Sequence, residues 1–419
     1  MYLRRLASLD DRFPPNREIS VMGGFQEYSV LEQRAAGHST HAAISERVIS
    51  TGSEHGLRRE PVTWHELIAG PGSNLFEYVD CAKATGLTSA EPFQAPAKSR
   101  PIREERNRMS KVRVAVAQAG TTVFDSVGAV KLIDQWAERA ATAGARLAVF
   151  PEAFVGGYPK GTNFGAVVGN RTPDGREEYR RYFAASVQVP GPVTDELGEI
   201  ARRHGIHLVV GVIERGGNTL YCTGVYLDEN GTLLGKRRKL MPTASERLVW
   251  GFGDGSTMEV YDTAIGKVGA VLCWENLMPA ARMAMYQQGV QLYCAPTAVG
   301  TPAHHATMRH IAQEGRCFVL AANQVMRVKD FPDDHPRPFG DDPETMVSNG
   351  GSSIIGPLGD VLAGPVYDEE ALLVADVDLD DIIRTKYDFD VTGHYSRPDI
   401  FQLRVDRTPR PAVILGPAE

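Results

Sequence analysis

The pattern of hydrophobic and polar positions becomes regular near residue 110. Apolar runs predict strands over residues 112–118 and 146–150, and an apolar stripe at helical spacing predicts a helix over 126–143 between them. Gly144 follows that helix at the position where a left-handed glycine commonly ends one. This stretch therefore predicts a β-α-β opening.

Helical and strand patterns continue to alternate as far as about residue 400. Thr194 is expected to cap a helix over 195–203 that Gly205 ends, and Asn230-Gly231 predicts a hairpin. The remaining predicted helices cover 279–288 and 304–314, and the remaining predicted strands cover 206–213, 219–227, 232–239, 258–261, 267–272, 291–295, 317–323, 352–355 and 371–377. We expect one mixed α/β layered domain over 109–400.

The first 108 residues show no sustained period of 2 or 3.6, and 91–108 have the Pro, Ala, Arg and Glu content of a linker. We expect residues 1–108 to be an extension of unknown role. It is either poorly ordered or translated from a misassigned start codon upstream of Met109. Residues 401–419 form a separate C-terminal tail.

The composition narrows the class of protein. The 419 residues include 45 basic and 52 acidic side chains, and the net charge of −7 argues against a nucleic-acid partner. Apolar runs such as 208–213 are far shorter than the ~18–20 residues that a membrane-spanning helix needs. Because the N-terminus also lacks the apolar stretch of a signal sequence, we expect a cytoplasmic protein without a membrane partner.

The five cysteines are widely spaced and contain no C-x-x-C pair, so they indicate neither a disulfide framework nor a zinc site. Cys273 stands out because it closes an apolar strand directly before a polar run and a helix, where α/β proteins place active sites. It is a candidate nucleophile, with a core cysteine as the alternative. The other four are interpreted as small buried hydrophobic residues: Cys81, Cys222, Cys294 and Cys317.

A catalytic thiol needs a base or a cation nearby, since an ordinary thiol of pKa ~8.5 is mostly protonated at neutral pH. Glu152 follows the predicted strand 146–150 in an apolar setting that suits a base, although a lone glutamate there is more often a capped or solvated loop residue. Lys239 ends the strand 232–239 beside apolar residues. The alternative interpretation is that Lys239 is one of four cations, 236–239, on a solvated strand edge.

These three segments resemble the nitrilase superfamily. Its Glu-Lys-Cys triad is carried by motifs that here read Phe-Pro-Glu-Ala-Phe (150–154), Arg-Lys-Leu-Met-Pro-Thr (238–243) and Cys-Trp-Glu-Asn-Leu-Met-Pro (273–279). The likeness covers residues 109 to about 405, and Lys-Leu-Met-Pro-Thr with Cys-Trp-Glu-Asn resembles the true nitrilase branch. It implies a four-layer α-β-β-α sandwich with the triad at one end of two stacked sheets. Further matching segments lie at 246–256, 292–297, 308–320 and 350–359.

The resemblance implies hydrolysis of a small organic nitrile to a carboxylic acid and ammonia. Cys273 would form a thioimidate and then a thioester, Glu152 would act as general acid and base, and Lys239 would stabilise the tetrahedral intermediate. Glu246 would be a further structural or catalytic carboxylate that orients Lys239 or the substrate. This chemistry requires no metal and no organic cofactor.

The resemblance also suggests residues around the substrate. Tyr158 occupies a pocket position of the family, with a core aromatic residue as the alternative, and Trp274 is expected to offer a backbone N–H while its indole is packed. The stretch 298–306, with His304 and His305, is short and irregular where the family usually has a longer loop. His394 matches a C-terminal family motif and is interpreted as an interface or structural residue.

Two alternatives to a nitrilase stay open. An amidase or N-carbamoyl hydrolase of the same superfamily uses the same triad, and only the shape of the pocket separates it from a nitrilase. A non-catalytic binding relative is the other alternative, which the intact triad argues against. The resemblance further implies a homo-oligomer, a dimer or a spiral filament, with the tail 401–419 as an oligomer-forming element.

Overall fold

The computed structural model describes residues 110–411 except 299, residue 413, and the backbone of four strands within the first 60 residues. The chain divides into two compact units, Met1–Ala97 and Lys98–Glu419. Cys81 and the linker expected over 91–108 lie outside the described residues, as does most of the predicted extension.

The first unit contains an antiparallel four-stranded sheet in the order β1 (Glu18–Gly23), β2 (Gln26–Glu32), β3 (Ala42–Ser50) and β4 (Leu57–Glu60). The sequence pattern predicted none of these four strands. A strand depends on pairing with its neighbours, and local periodicity reports that pairing poorly. The role of residues 1–108 and their expected lack of order stay predictions.

The second unit contains the elements that carry the predicted chemistry. Its helices are α1 (Ser126–Thr142), α2 (Pro173–Ala185), α3 (Pro192–His204), α4 (Pro279–Gln287), α5 (Pro302–Gly315) and α6 (Asp380–Lys386). Its strands are β5 (Lys111–Gln118), β6 (Leu147–Val149), β7 (Ala166–Val167), β8 (Asn170–Arg171), β9 (His207–Gly216), β10 (Thr219–Leu227), β11 (Leu233–Arg238), β12 (Tyr261–Thr263), β13 (Gly266–Ala270), β14 (Leu292–Thr297), β15 (Phe318–Asn323), β16 (Val325–Arg327), β17 (Met346–Ile355), β18 (Val361–Tyr367) and β19 (Ala371–Asp378).

Two large mixed sheets form the middle of this unit. One has the order β11-β10-β9-β6-β5-β19, and its central pairs β5–β6 and β6–β9 are parallel. The other has the order β12-β13-β14-β15-β17-β16, with β18 also on β17, and its pairs β13–β14 and β14–β15 are parallel. Parallel central strands bring their carboxyl ends to the same edge of each sheet.

Strand β5 shows why the two sheets stack. Val114 and Val116 on one face join a buried cluster that contains Leu292 and Leu320 of the other sheet. Ala115, Ala117 and their neighbours on the opposite face pack against helices α1 and α3, while α4 and α5 cover the outer face of the second sheet. The predicted α-β-β-α sandwich is confirmed. Burying each of these aliphatic side chains stabilises the layers by about 1.5–3 kcal/mol.

Several predicted boundaries are wrong. Helix α3 begins at Pro192 after Gly191, and Thr194 is its third residue, whose hydroxyl contacts the backbone N and O of Gly191 rather than capping the helix itself. Strand β12 begins at Tyr261, where the predicted strand ends. Helix α5 begins at Pro302, so half of the stretch expected to be irregular is helical. Helices α2 and α6 and strands β7, β8, β16 and β18 were not predicted.

No helix in the described part of the chain is long and apolar enough to cross a membrane.

Candidate active site

Three strand ends place the predicted triad. Glu152 lies two residues beyond Phe150, whose backbone N–H still donates to Val209 in the sheet at 2.8 Å. Lys239 directly follows β11, and its backbone N–H donates to the carbonyl of Cys222 at 2.8 Å. Cys273 begins a 3₁₀ helix, Cys273–Leu277, just after β13. All three residues therefore lie at or just beyond the ends of strands, as the sequence predicted.

The backbone of Cys273 has a left-handed conformation with φ of +52°. Asn276 fixes this turn, because its Nδ2 atom donates to the carbonyls of Val271 at 2.9 Å and Cys273 at 2.8 Å. The hydroxyl of Tyr293 donates to Oδ1 of Asn276 at 2.8 Å. A left-handed conformation costs a non-glycine residue about 1–2 kcal/mol, so the fold holds the thiol in a conformation that the free chain disfavours.

Lys239 lies between two carboxylates. Its Nζ atom is 2.7 Å from Oε1 of Glu152 and 2.7 Å from Oε2 of Glu246, and the side chains of Lys239 and Glu152 are fully buried. Tyr158 donates its hydroxyl to the other oxygen of Glu246 at 2.7 Å. The side chains of Tyr158 and Trp250 pack edge to face, 5.6 Å between ring centroids, so Tyr158 is both a packed aromatic residue and a polar contact of the site.

The charges of this group are strongly coupled. Burial alone would lower the pKa of Lys239, but Glu152 and the other acidic groups around the ammonium raise that pKa above its ordinary value. Burial and the charge of Glu152 raise the pKa of Glu246, and Lys239 opposes that shift. The result is a lysine that stays charged in a buried site, next to a carboxylate whose pKa lies above its ordinary value.

The thiol of Cys273 is protonated in this environment. Burial raises the pKa of Cys273 to about 12, the charge of Glu152 adds to the increase, and Lys239 opposes it. Thr297 donates its hydroxyl to Sγ of Cys273 at 3.4 Å. A nucleophile in this state needs a base to remove its proton during attack, and Oε2 of Glu152 is a buried oxygen without a hydrogen-bond partner among the described residues.

A second buried ion pair connects the lysine segment to the cysteine turn. Oε1 of Glu275 accepts from the backbone N–H of Leu240 at 2.7 Å and from Nη2 of Arg237 at 3.3 Å. Gln324, on the other sheet, donates to the backbone carbonyl of Glu152 at 2.7 Å. Neither role was predicted for these residues. Glu275 lies within the quoted Cys-Trp-Glu motif, which is the one signal in the sequence that pointed to it.

Trp274 and His304 have surroundings that the sequence did not indicate. The side chain of Trp274 is 51% exposed, so the expectation of a packed indole is wrong; its backbone N–H role stays a prediction. His304, in the first turn of α5, has a buried Nε2 atom without a hydrogen-bond partner among the described residues. Burial and His305 lower the pKa of His304 to about 4, while the charge of Glu152 opposes the shift.

The structure thus brings Glu152, Lys239, Cys273, Glu246 and Tyr158 together, and their catalytic roles stay predictions. His394 lies elsewhere, with Nε2 3.0 Å from the carbonyl of Lys386, as expected for a structural residue. In the described part of the chain, no group of three or more His, Cys, Asp or Glu side chains is arranged to hold a metal ion.

Two family models match the chain. The model described as "Carbon-nitrogen hydrolase" matches residues 113–387, which include all the site residues above. The model described as "Haem-containing dehydratase" matches residues 2–87.

Curated relatives are similar over 70–73% of the chain. An aliphatic nitrilase of Sinorhizobium fredii is 52% identical over 306 residues, which are 73% of this chain and 99% of that protein. A bifunctional nitrilase/nitrile hydratase of Nicotiana tabacum is 52% identical over 70% of this chain and 86% of that protein. Nitrilase 2 of Arabidopsis thaliana is 50% identical over 72% of this chain and 91% of that protein.

Solved structures resemble the fold at lower identity. An amidase from Nesterenkonia sp. AN1 in complex with butyramide aligns with a TM-score of 0.51 and 24% identity, over 67% of this chain and 96% of that chain. Another structure of an amidase from Nesterenkonia sp. aligns with a TM-score of 0.50 and 24% identity, over 65% and 92%. These likenesses concern the fold alone.

Proposed function

Because the chain belongs to the carbon-nitrogen hydrolase family, we propose that it is a nitrilase, which converts an organic nitrile and two waters to a carboxylic acid and ammonia. The observation that carries this function is the buried group in which Lys239 lies 2.7 Å from both Glu152 and Glu246, beside the thiol of Cys273. The identity of 50–52% to named nitrilases over most of the chain supports a nitrile rather than an amide as substrate.

The first step forms a bond between Cys273 and the nitrile. Oε2 of Glu152 takes the proton of the thiol, Sγ attacks the nitrile carbon, and the proton passes to the nitrile nitrogen, which gives a neutral thioimidate. The raised pKa of Cys273 makes this base necessary, because little thiolate exists beforehand. A positioned acid and base contributes typically about 10²- to 10⁴-fold to such a step.

The second step releases ammonia. Glu152 takes a proton from water while the hydroxide adds to the thioimidate carbon, and the nitrogen leaves as ammonia after protonation. The ammonium of Lys239, whose pKa is raised by the neighbouring carboxylates, stabilises the charge of the tetrahedral intermediate. A fixed donor of this kind contributes roughly 3–4 kcal/mol. A second water then hydrolyses the thioester, and the proton returns to Cys273.

The alternative outcome is an amide. If the tetrahedral intermediate expels Sγ instead of nitrogen, the nitrile leaves as a primary amide after adding one water. The experiment that tests the proposed function therefore measures ammonia, acid and amide from a panel of nitriles and from the matching amides. We expect nitrile-dependent ammonia and acid, and none from Cys273→Ala. Turnover of amides without turnover of nitriles would identify an amidase instead.

We also propose that the protein forms a homo-oligomer in the cytoplasm. Support for the oligomer comes from apolar side chains of the C-terminal region that are exposed in the single chain, namely Tyr395, Ile400, Phe401, Leu403 and Val413. Light scattering of the full chain tests the oligomer, and a monomeric mass contradicts it. Cell fractionation tests the location.

A separate proposal concerns the source of the nitrile. Loss of water from an aldoxime, R–CH=N–OH, gives the nitrile R–C≡N without any oxidant or reductant. The dehydratase match over residues 2–87, in the same chain as the hydrolase match, supports a dehydration as the reaction that supplies the substrate, and we propose an aldoxime as the compound that loses water.

The supply reaction is tested by feeding aldoximes to this chain together with a separately prepared aldoxime dehydratase. We expect the acid to form without accumulation of nitrile, and the nitrile to accumulate when Cys273→Ala replaces the wild type. The proposal would be contradicted if the nitriles formed from these aldoximes were hydrolysed far more slowly than the best nitrile of the panel.

A further inference from the structure

The two oxygens of Glu152 have different surroundings, and we propose that Cys222 is a positioning residue that keeps them different. Its thiol donates to Oε1, which leaves Oε2 as the oxygen that exchanges protons with Cys273. This inference rests on the proposed function, because it assigns the proton transfers of that reaction to one atom. The sequence had suggested only a buried structural role for Cys222.

The two carboxylate oxygens of Glu152 have different contacts. Oε1 lies 2.7 Å from Nζ of Lys239 and 3.3 Å from Sγ of Cys222. Oε2 is buried and has no hydrogen-bond partner among the described residues. A carboxylate whose one oxygen is held by two donors cannot rotate freely, and the other oxygen keeps its lone pairs for a substrate or a thiol proton.

The backbone fixes Cys222 beside the lysine. Cys222 lies in β10 opposite Ile213 of β9, and its carbonyl accepts from the backbone N–H of Lys239 at 2.8 Å. The thiol and the ammonium therefore approach Oε1 from one rigid pair of strands. Strand placement of this kind positions a side chain more closely than a loop does.

The thiol of Cys222 acts as a donor and not as a second nucleophile. Burial, followed by the charge of Glu152, raises the pKa of Cys222 well above its ordinary value, so the S–H proton is retained. The retained proton can therefore be donated to Oε1 of Glu152, which lies 3.3 Å from the sulfur atom.

The competing interpretation is that Cys222 only fills space in the core. The chain offers a matched control, since Cys317 is also fully buried but lies in the cluster on the outer face of the second sheet. Replacing either cysteine by alanine removes one buried sulfur atom. A space-filling role predicts that the two replacements differ only in stability, whereas a positioning role predicts a difference in the chemical step.

The experiment compares Cys222→Ala, Cys222→Ser and Cys317→Ala in the full chain by nitrile kinetics and by thermal unfolding. We expect Cys222→Ala to lower kcat about 5- to 10-fold with little change in KM. Cys222→Ser restores a donor and returns kcat to within about twofold of the wild type. Cys317→Ala keeps the wild-type kcat and KM.

A wild-type kcat in Cys222→Ala would overturn the proposal, and so would a serine variant as slow as the alanine variant. If Cys222→Ala does not fold, Cys222→Val replaces it, because valine has a similar volume and no hydrogen-bond donor. We expect the same decrease in kcat for Cys222→Val. If the wild type hydrolyses only amides, the proposed function fails. The role of Cys222 is then tested separately by the ratio of kcat between each variant and the wild type, measured on an amide.

Discussion

Nζ of Lys239 and Oε1 of Glu152 lie 2.7 Å apart, and both side chains are withdrawn completely from solvent. Glu246 adds a second carboxylate to the same ammonium at 2.7 Å. The site therefore contains one cation between two groups that are acidic in water. Such a group is stable only as a whole, because each charge is compensated by its neighbours rather than by solvent.

Lys239→Met should destabilise the fold strongly. It leaves the carboxylates of Glu152 and Glu246 buried without their cation, and removing one partner of a buried pair costs about 3–5 kcal/mol. Urea unfolding measures the loss, and the double variant with Glu152→Gln should recover part of it. The exposed pair of Arg180 and Glu177 provides the control, since Arg180→Met should leave the unfolding midpoint unchanged. Equal midpoints for the two single variants would contradict the expectation.

Glu246→Gln should slow the reaction without removing it. The glutamine keeps the shape but loses the charge that holds Lys239, and a hydrogen bond to a charged group contributes about 1.5–3 kcal/mol, or roughly 10- to 150-fold in kcat. Tyr158→Phe, which removes the donor to the other oxygen of Glu246, should have a smaller effect in the same direction. Steady-state kinetics measure both, with Tyr387→Phe on the exposed surface as the control. A kcat unaffected by Glu246→Gln would exclude a role in orienting Lys239.

Alkylation of Cys273 should report its raised pKa. With a pKa of about 12, the thiolate fraction increases about tenfold per pH unit throughout the neutral and mildly alkaline range. The rate at which iodoacetamide modifies Cys273, followed by mass spectrometry, should still be increasing at pH 10. A plateau near pH 8 would show an ordinary thiol, and Cys273→Ala identifies any modification elsewhere.

His304 should make the stability of the fold depend on pH. Its folded-state pKa of about 4 lies below the ordinary value of 6.5, so the unfolded chain binds more protons between these two values. Stability is therefore fully present above about pH 6.5 and decreases as the pH falls toward 4. His304→Asn should flatten the unfolding free energy across this window. A slope unchanged by His304→Asn would contradict the assignment.

The sequence predicted the site better than its surroundings. Glu152, Lys239 and Cys273 could be located because each lies at or just after the end of a strand, within a short motif that resembles the family, and both signals are local. The contact between Cys222 and Glu152 joins residues 70 positions apart and depends on how two strands align, so an isolated cysteine in an apolar strand could only be interpreted as a core residue.

The elements missed from the sequence lack a local signal. Helix α2 buries only Gly175 and Tyr182, so no apolar stripe marks it. Strand β18 is largely exposed and contains Gly364 and Pro365, which are typical of loops; its pairing with β17 forms it. The start of α3 was misplaced because Thr194 is a favoured capping residue, whereas Pro192 at the first helical position was the better signal.

The left-handed backbone of Cys273 has a further consequence for the evolution of this fold. The position favours glycine, so selection for stability alone would drive the chain toward Cys273→Gly, an inert protein that should unfold at higher temperature than Cys273→Ala. Only selection for activity opposes that drift. The turn that presents the thiol is thus the place where an inactive descendant of this enzyme would first be expected to differ from it.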